Sequence, residues 1–207
     1  MIDHDAEFRD SVRRLIAASG IVTEEFGRAD DFLRDYDPDR PGCVLTELHI
    51  SGFDGLELQQ RIVAINPDAA IIFVTGDATV QAAVTGMQRG AVDFIEKPVR
   101  EAEFLESIRR AIAHDATNRE SKARREKAHE RIAALTVRER EVMDMLVEGR
   151  SVREIGDALK ISPKTVQIHR AHILDKAQCP SLVALARLRL TASGELSERL
   201  EWNGQQP

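Results

Sequence analysis

The residues best equipped for chemistry lie on one short segment near the carboxyl end. Ser162-Pro163 reads as an N-cap followed by proline at the first helical position, and the helix it opens runs to about Ala177. Lys164, His169, Arg170 and Lys176 lie along it. A capped helix start offers unpaired amides and a partial positive charge, and long cations add salt-dependent attraction. Both suit the phosphates of a nucleic acid. Two more helix starts stand just upstream. Thr136-Val137-Arg138-Glu139 and Ser151-Val152-Arg153-Glu154 each pair a hydroxyl with a glutamate three residues on, the pattern of a capping box. Gly149 follows the apolar run Val142, Met145, Leu146 and takes the place just past a helix end. Ser181 opens a fourth helix. Ordered starts at Thr136, Ser151 and Ser162 predict a helix-turn-helix; a helical bundle without a DNA role is the weaker reading.

Elsewhere reactive side chains are sparse. His4, His49, His114, His129, His169 and His172 form no metal pair with a matching cysteine or carboxylate cluster. Cys43 and Cys179 are far apart, which excludes a disulfide scaffold and a zinc finger and fits a reducing cytoplasm. Cys43 is expected in a strand as a small core residue, and Cys179 in the turn before the fourth helix. No nucleophile–base pair or cofactor loop appears, so an enzyme is not expected.

These side chains need elements to hold them. The chain has 207 residues, 43% apolar and 31% charged, enough for two small globular domains. No run of 18 apolar residues exists, and Met1-Ile2-Asp3-His4-Asp5 lacks the basic and apolar parts of a signal peptide. The net charge of −6 divides into −9 over residues 1–110 and +3 over residues 111–207, which suggests two domains with different partners. In the front part, Gly42–Leu45 and Ala70–Thr75 are short, branched and apolar throughout, as strands buried on both faces are. Helical patterns over Ala6–Ser19, Asp54–Asn66 and Thr79–Arg89 alternate with them, and that alternation implies a parallel sheet between helices. From Arg100 to Leu135 there is no glycine or proline. Phe104, Leu105, Ile108 and Ile112 pack one face, and His114–Glu130 is mostly charged. A continuous helix there would span about 50 Å. It reads as a solvated linker; a dimer stalk is less favoured without a sustained heptad. The expected division is 1–113, a charged helical linker over 114–134, a helical domain over 135–190, and a loosely ordered tail over 191–207 holding Trp202.

Residues 135–190 carry a family resemblance. Leu135-Thr136-x-Arg138-Glu139-Arg140-Glu141-Val142, Glu148-Gly149, Glu154-Ile155, Ile161-Ser162-Pro163-Lys164-Thr165-Val166 and His169-Arg170 resemble the LuxR-type DNA-binding domain. Gly52-Phe53-Asp54-Gly55-Leu56-Glu57-Leu58, Thr75-Gly76 and Gly90 through Pro98 resemble a response-regulator receiver. Together they are similar to the FixJ/NarL group of transcription factors. The resemblance implies a flavodoxin-like receiver of sheet order 2-1-3-4-5, joined by a long linker helix to an all-α helix-turn-helix domain. It places the phosphoacceptor position on Glu47, the acidic pair on Asp3 and His4, the phosphate sensors on Thr75 and Lys97, and the toggling aromatic on Phe94. Within the helix opened by Ser162, Val166 and Ile173 are expected to pack inward and Gln167, Ile168 and Ala171 to face base edges. Lys164, Thr165, His169, Arg170 and Lys176 complete the expected DNA contacts.

Two substitutions strike the receiver chemistry. Glutamate is one methylene longer than aspartate, and phosphoryl transfer tolerates ångström shifts poorly. His4 replaces an oxygen ligand, so a weak magnesium site at Asp3 and Glu47 is conceivable but not expected. Glu47 then marks either a dead site or a carboxylate that reaches Thr75 and Lys97 in partial imitation of a phosphoryl group, with residual phosphorylation third. Only Met1 and Ile2 precede Asp3, so the first strand is expected to be truncated, leaving apolar surface and backbone groups unpaired. The resulting expectation is a cytoplasmic transcription regulator that works without aspartyl phosphorylation. Its expected partners are double-stranded DNA, a second copy in a homodimer, and a sensor kinase or other signalling protein, with no membrane. The alternative acts by titrating other proteins rather than binding DNA.

Overall fold

The computed structural model describes residues 1–194; the remainder of the expected tail, Trp202 included, lies outside the described residues. The chain divides into two compact units between Arg119 and Glu120. In the first unit, α1 (Ala6–Ala17) and α2 (Ala29–Asp35) precede β1 (Val44–Thr46). A small antiparallel hairpin, β2 (His49–Ile50) with β3 (Phe53–Asp54), leads into α3 (Gly55–Ile65). Then come β4 (Ile71–Thr75), α4 (Val80–Gln88), β5 (Asp93–Glu96) and the start of α5 (Glu101–Ala133).

Strands β1, β4 and β5 pair in that order and in parallel. Ile2 extends the sheet, bridging Thr46 on one side and Phe26 on the other. The order across is therefore Phe26, Ile2, β1, β4, β5, the expected 2-1-3-4-5 arrangement. β4 sits centrally and is buried throughout. Its alternate residues serve opposite layers. Ile71 and Phe73 pack with Ile2, Phe32, Leu58 and Ile62, whereas Ile72 and Val74 pack with Val12, Ile16, Phe104 and Ile108.

Two expectations are corrected here. The first strand is reduced to Met1–Asp3, yet those backbone groups are paired on both edges. Ile2 N donates to Leu45 O at 2.8 Å, Glu47 N to Ile2 O at 2.9 Å, Asp3 N to Phe26 O at 3.1 Å and Phe26 N to Met1 O at 2.9 Å. Ile2 itself is fully buried. Nor is the segment after Ala113 a bare solvated helix. Asp115 is buried and accepts from Gly42 N at 2.9 Å. Arg119 bonds Asp115 and the carbonyls of Pro38, Asp39 and Arg40, at 2.8, 3.0, 2.8 and 2.5 Å respectively. Cys43 lies one residue before β1 rather than within it.

The second unit holds the last turns of α5, then α6 (Val137–Val147), α7 (Val152–Leu159), α8 (Pro163–Lys176) and α9 (Leu182–Ser193). α9 runs three residues past the expected end of the domain. Both capping boxes form, and Ser162 and Ser181 cap α8 and α9. Gly149 and Arg150 amides turn back onto the Leu146 and Met145 carbonyls at 3.1 Å each, closing α6 as its glycine implied. The turn from α7 to α8 is tighter. A Cβ on Gly156 would lie 2.9 Å from the Ile161 carbonyl oxygen, so only glycine admits this approach. Val142, Met143, Ile155, Val166, Ile173 and Leu185 form the centre of the core, and Ala128 of α5 joins it.

The fastening of α5 gives a direct test. Arg119→Ala should destabilise the first unit by about 1–3 kcal/mol, since it strips charged hydrogen bonds from three loop carbonyls and leaves buried Asp115 short of a partner. Urea unfolding followed by circular dichroism should show an earlier first-unit transition and an unmoved second one. An unchanged first transition would restore the solvated-linker reading.

Candidate functional site

The strand ends at one edge of the sheet bring four chemically able side chains together. Asp3 follows the Ile2 bridge, Glu47 follows β1, Thr75 ends β4 and Lys97 follows β5. Gly55 lets the following hairpin fold back tightly here: its amide donates to Leu48 O at 2.7 Å, and a Cβ would lie 2.4 Å from Glu47 O. Asp3, Glu47 and Thr75 are buried. The Lys97 ammonium lies between the two acids, 2.6 Å from Asp3 Oδ2 and 2.7 Å from Glu47 Oε2. The Phe8 ring, on the first turn of α1, closes the ammonium from above at 3.8 Å to its centroid. The other oxygens are also engaged: Glu47 Oε1 accepts from Leu48 N and Asp3 Oδ1 from Asp5 N, both at 2.8 Å.

Charge follows from that geometry. Burial alone would raise the Glu47 pKa, but hydrogen bonds from Lys97, the Thr75 hydroxyl and the Leu48 amide outweigh it and hold the carboxyl below its ordinary range. Burial likewise opposes the Lys97 charge, and the bonds to Asp3 and Glu47 reverse the sign and raise its pKa. Glu47 thus contacts both expected sensors, Thr75 and Lys97, at once. Phe94 is turned inward and packs on Phe73, with centroids 5.6 Å apart. His4 does not join the pocket: it is half exposed, its Nδ1 3.9 Å from Asp3 Oδ1. Asp5 caps α1 instead.

Magnesium wants several hard oxygens around an open position. Here the two carboxylates are bridged by an ammonium, His4 turns away, and no group of three or more metal-binding side chains exists among the described residues. The donor set does not fit the ion.

The second unit presents the other candidate surface. On α8, Val166 and Ile173 are fully buried, while Lys164, Gln167, Ile168 and Ala171 are exposed. His169 and Arg170 are half-buried at the edges. The Thr165 amide donates to Ser162 Oγ at 3.1 Å, and their hydroxyls lie 2.8 Å apart. Lys176, expected to face DNA, is committed elsewhere. Its ammonium bonds both oxygens of buried Glu139 on α6, at 2.9 and 2.8 Å. Among the thiols, burial pushes Cys43 up to about 11 and raises Cys179 despite nearby Arg131, so neither is a ready thiolate. Sequence reasoning found Glu139 only as part of a capping box and missed its bond to Lys176, and it missed Phe8 and Arg131, because these partners are remote in the chain.

Known proteins match this division. Residues 1–109 match the response regulator receiver domain, and residues 133–189 match the bacterial regulatory proteins of the luxR family. The chain belongs to the two-component response regulators that carry a LuxR-type DNA-binding domain. It is 35% identical to the transcriptional regulatory protein FixJ of Azorhizobium caulinodans, over 93% of this chain and 91% of that one. To FixJ of Bradyrhizobium diazoefficiens it is 36% identical, over 93% and 94%. Among solved structures, response regulator StyR superposes with a TM-score of 0.80 at 29% identity, covering 90% of this chain and 94% of that one. Full-length FixJ from B. japonicum gives 0.56 at 36% identity, over 93% and 95%. Transcription regulation is therefore the function of the family. DNA is the partner that the second unit implies, and a sensor kinase the one that the first implies. No described helix is long and apolar enough to cross a membrane.

The Glu139–Lys176 pair predicts a pH dependence. The Lys176 ammonium and then the Thr136 amide hold Glu139 down at about 2, from an ordinary 4.5. A depressed carboxylate stabilises the fold fully above the unfolded value and loses that contribution as pH falls toward the folded one. The gap in melting temperature between the parent and Glu139→Gln should therefore be widest above pH 4.5 and shrink as pH drops toward about 2. A gap that does not vary with pH would show the pair to be unimportant.

Proposed function

We propose that this regulator binds operator DNA as a homodimer through α8 and that its receiver works without aspartyl phosphorylation. Glu47 stands where the phosphoryl group would, engaging Thr75 and Lys97 and biasing the receiver toward its dimer-forming state. One observation carries the reading: a single buried carboxylate holds both sensor side chains while Phe94 lies inward. That favours imitation over a dead site, in which the carboxylate would have no reason to meet both. The imitation is partial, since a carboxylate carries one charge and a phosphoryl group up to two. A regulator that acts by titrating other proteins is not favoured, because the exposed face of α8 presents Lys164 and Gln167 to solvent, where DNA could meet them. The chain is read as a cytoplasmic regulator rather than an enzyme.

On α8, the amino end and Lys164 meet phosphates, supported by Thr165 and His169 at its flank. Gln167, Ile168 and Ala171 meet base edges. Glutamine can bond adenine through two hydrogen bonds, and Ile168 and Ala171 can touch thymine methyls, which favours A·T pairs. Arg170 serves a guanine or a phosphate. Lys176 is left out of the interface because Glu139 holds it.

Two outcomes are expected. Incubation with acetyl phosphate should give no hydroxylamine-labile phosphate on the protein, and Glu47→Gln and Glu47→Ala should weaken dimerisation and DNA binding by roughly 5- to 50-fold. Stoichiometric label, or variants indistinguishable from the parent, would sink the phosphate-imitation reading. In DNA titrations at several salt concentrations, Gln167→Ala should relax preference at one base position by about 1–3 kcal/mol. Lys164→Ala should weaken all sequences alike and lower the salt slope by about one. The assignment of roles fails if Gln167→Ala weakens selected and random DNA equally or Lys164→Ala leaves the slope unchanged.

A further inference from the structure

The last carbonyls of a helix need partners beyond it: at the end of α8, Leu174 O and Asp175 O are met by the Cys179 and Gln178 amides, and the next carbonyls, of Ala177 and Gln178, are met by α5. Arg131, two residues before the end of α5, reaches them. Its Nε donates to the Ala177 carbonyl at 2.8 Å, and its Nη2 donates to the same oxygen and to the Gln178 carbonyl at 2.6 Å. The guanidinium also lies 3.8 Å from Cys179 Sγ. Gln178 takes a left-handed backbone, φ +50°, so the chain turns sharply where Arg131 grips it. A cation here also complements the negative end of the helix dipole. Lys176, the residue before Ala177, ties the same end to Glu139 of α6. The carboxyl end of α8 is thus held by α5 and α6, while its amino half carries the exposed Lys164, Gln167 and Ile168, with exposed Ala171 just past its middle.

Holding one end of a rod sets the position of the other. α8 has 14 residues and is about 21 Å long, so a tilt of about 3° at the held end moves the far end by about 1 Å. Hydrogen bonds to base edges weaken over such a distance, whereas attraction to phosphates by flexible lysines hardly changes. We propose that Arg131 is a positioning residue for DNA reading: it touches no DNA, and it fixes the pose from which α8 reads bases. The residue falls outside the stretch that matches the luxR family, 133–189, so the family likeness does not assign it. The proposal rests on the reading of α8 as the base-reading helix. Its signature is a loss of discrimination rather than of binding as such.

The test uses the full chain, a 20-base-pair duplex selected by the parent protein from a random pool, and a random duplex of the same length. Arg131→Ala should weaken binding to the selected duplex by about 10-fold and to the random one by less than 2-fold, at a temperature where circular dichroism shows the helices intact. Arg131→Lys retains a cation but not the forked geometry, and should recover only part of the discrimination. Equal loss on both duplexes, or no loss on either, would overturn the proposal, and so would full recovery of discrimination by lysine. If Arg131→Ala does not fold, the Arg131→Lys comparison decides: unaltered discrimination there overturns the proposal. Failure of the underlying reading looks different, since Gln167→Ala would then leave discrimination intact whatever Arg131 variants do.

Discussion

Two carboxylates buried within reach of one another repel unless a cation lies between them, and the receiver unit is arranged around the cation that does so. Asp3 and Glu47 come from neighbouring strand ends, and both are almost wholly inaccessible to water. The Lys97 ammonium, bonded to each, offsets that repulsion. Without it the two acids would face one another uncompensated, and breaking a buried pair costs on the order of 3–5 kcal/mol. Everything near the site is consistent with protecting that ammonium. Phe8 lies over it, the Leu48 and Asp5 amides absorb the outer carboxylate oxygens, and Thr75 closes the remaining side.

The sheet explains why these groups can meet at all. Parallel strands deliver their carboxyl ends to one edge, where successive crossovers leave room for side chains. That requires the first strand to lie between its neighbours. Three residues suffice here because Ile2 bonds β1, Met1 and Asp3 bond Phe26 on the other flank, and Ile2 fills the core beneath, so Asp3 is placed by pairing rather than by strand length. Arg9, on α1, adds a further hold by donating to Asp3 O at 2.7 Å.

What could be read from the sequence divides by range. The caps of α6, α7 and α8 were legible because a capping box lies within four residues, and the inward stripe of Val166 and Ile173 because a helix repeats every few residues. β4 was legible because five successive apolar residues have few other uses. Glu47, Thr75, Lys97 and Phe94 were placed by likeness to a family; the structure sets Glu47 against Lys97 and packs Phe94 on Phe73. The missed features depend on distant partners. Asp115 and Arg119 looked like ordinary charges on a solvated helix until the loop over residues 38–42 was laid against them. Lys176 looked like a phosphate contact because Glu139, which claims it, is 37 residues away. α2 escaped notice because it has seven residues and no side-chain cap.

The same device recurs in the two units, and it bears on how such a regulator can be controlled. In each, a buried glutamate is held ionised by a lysine from a different element: Glu47 by Lys97, and Glu139 by Lys176. In the DNA-binding unit the pair is purely a brace, locking α8 to α6. In the receiver unit the pair sits where a transient covalent group acts in other family members. A phosphoryl group comes and goes, and its charge shifts the equilibrium between two states when it arrives. A glutamate is always present, so it can set the balance between those states but cannot report a change. An input signal would then have to act through something with unequal affinity for the two states, such as the DNA itself, the concentration of the chain, or a protein that favours one form. On the proposed reading, the buried ion pair moves regulation away from the pocket.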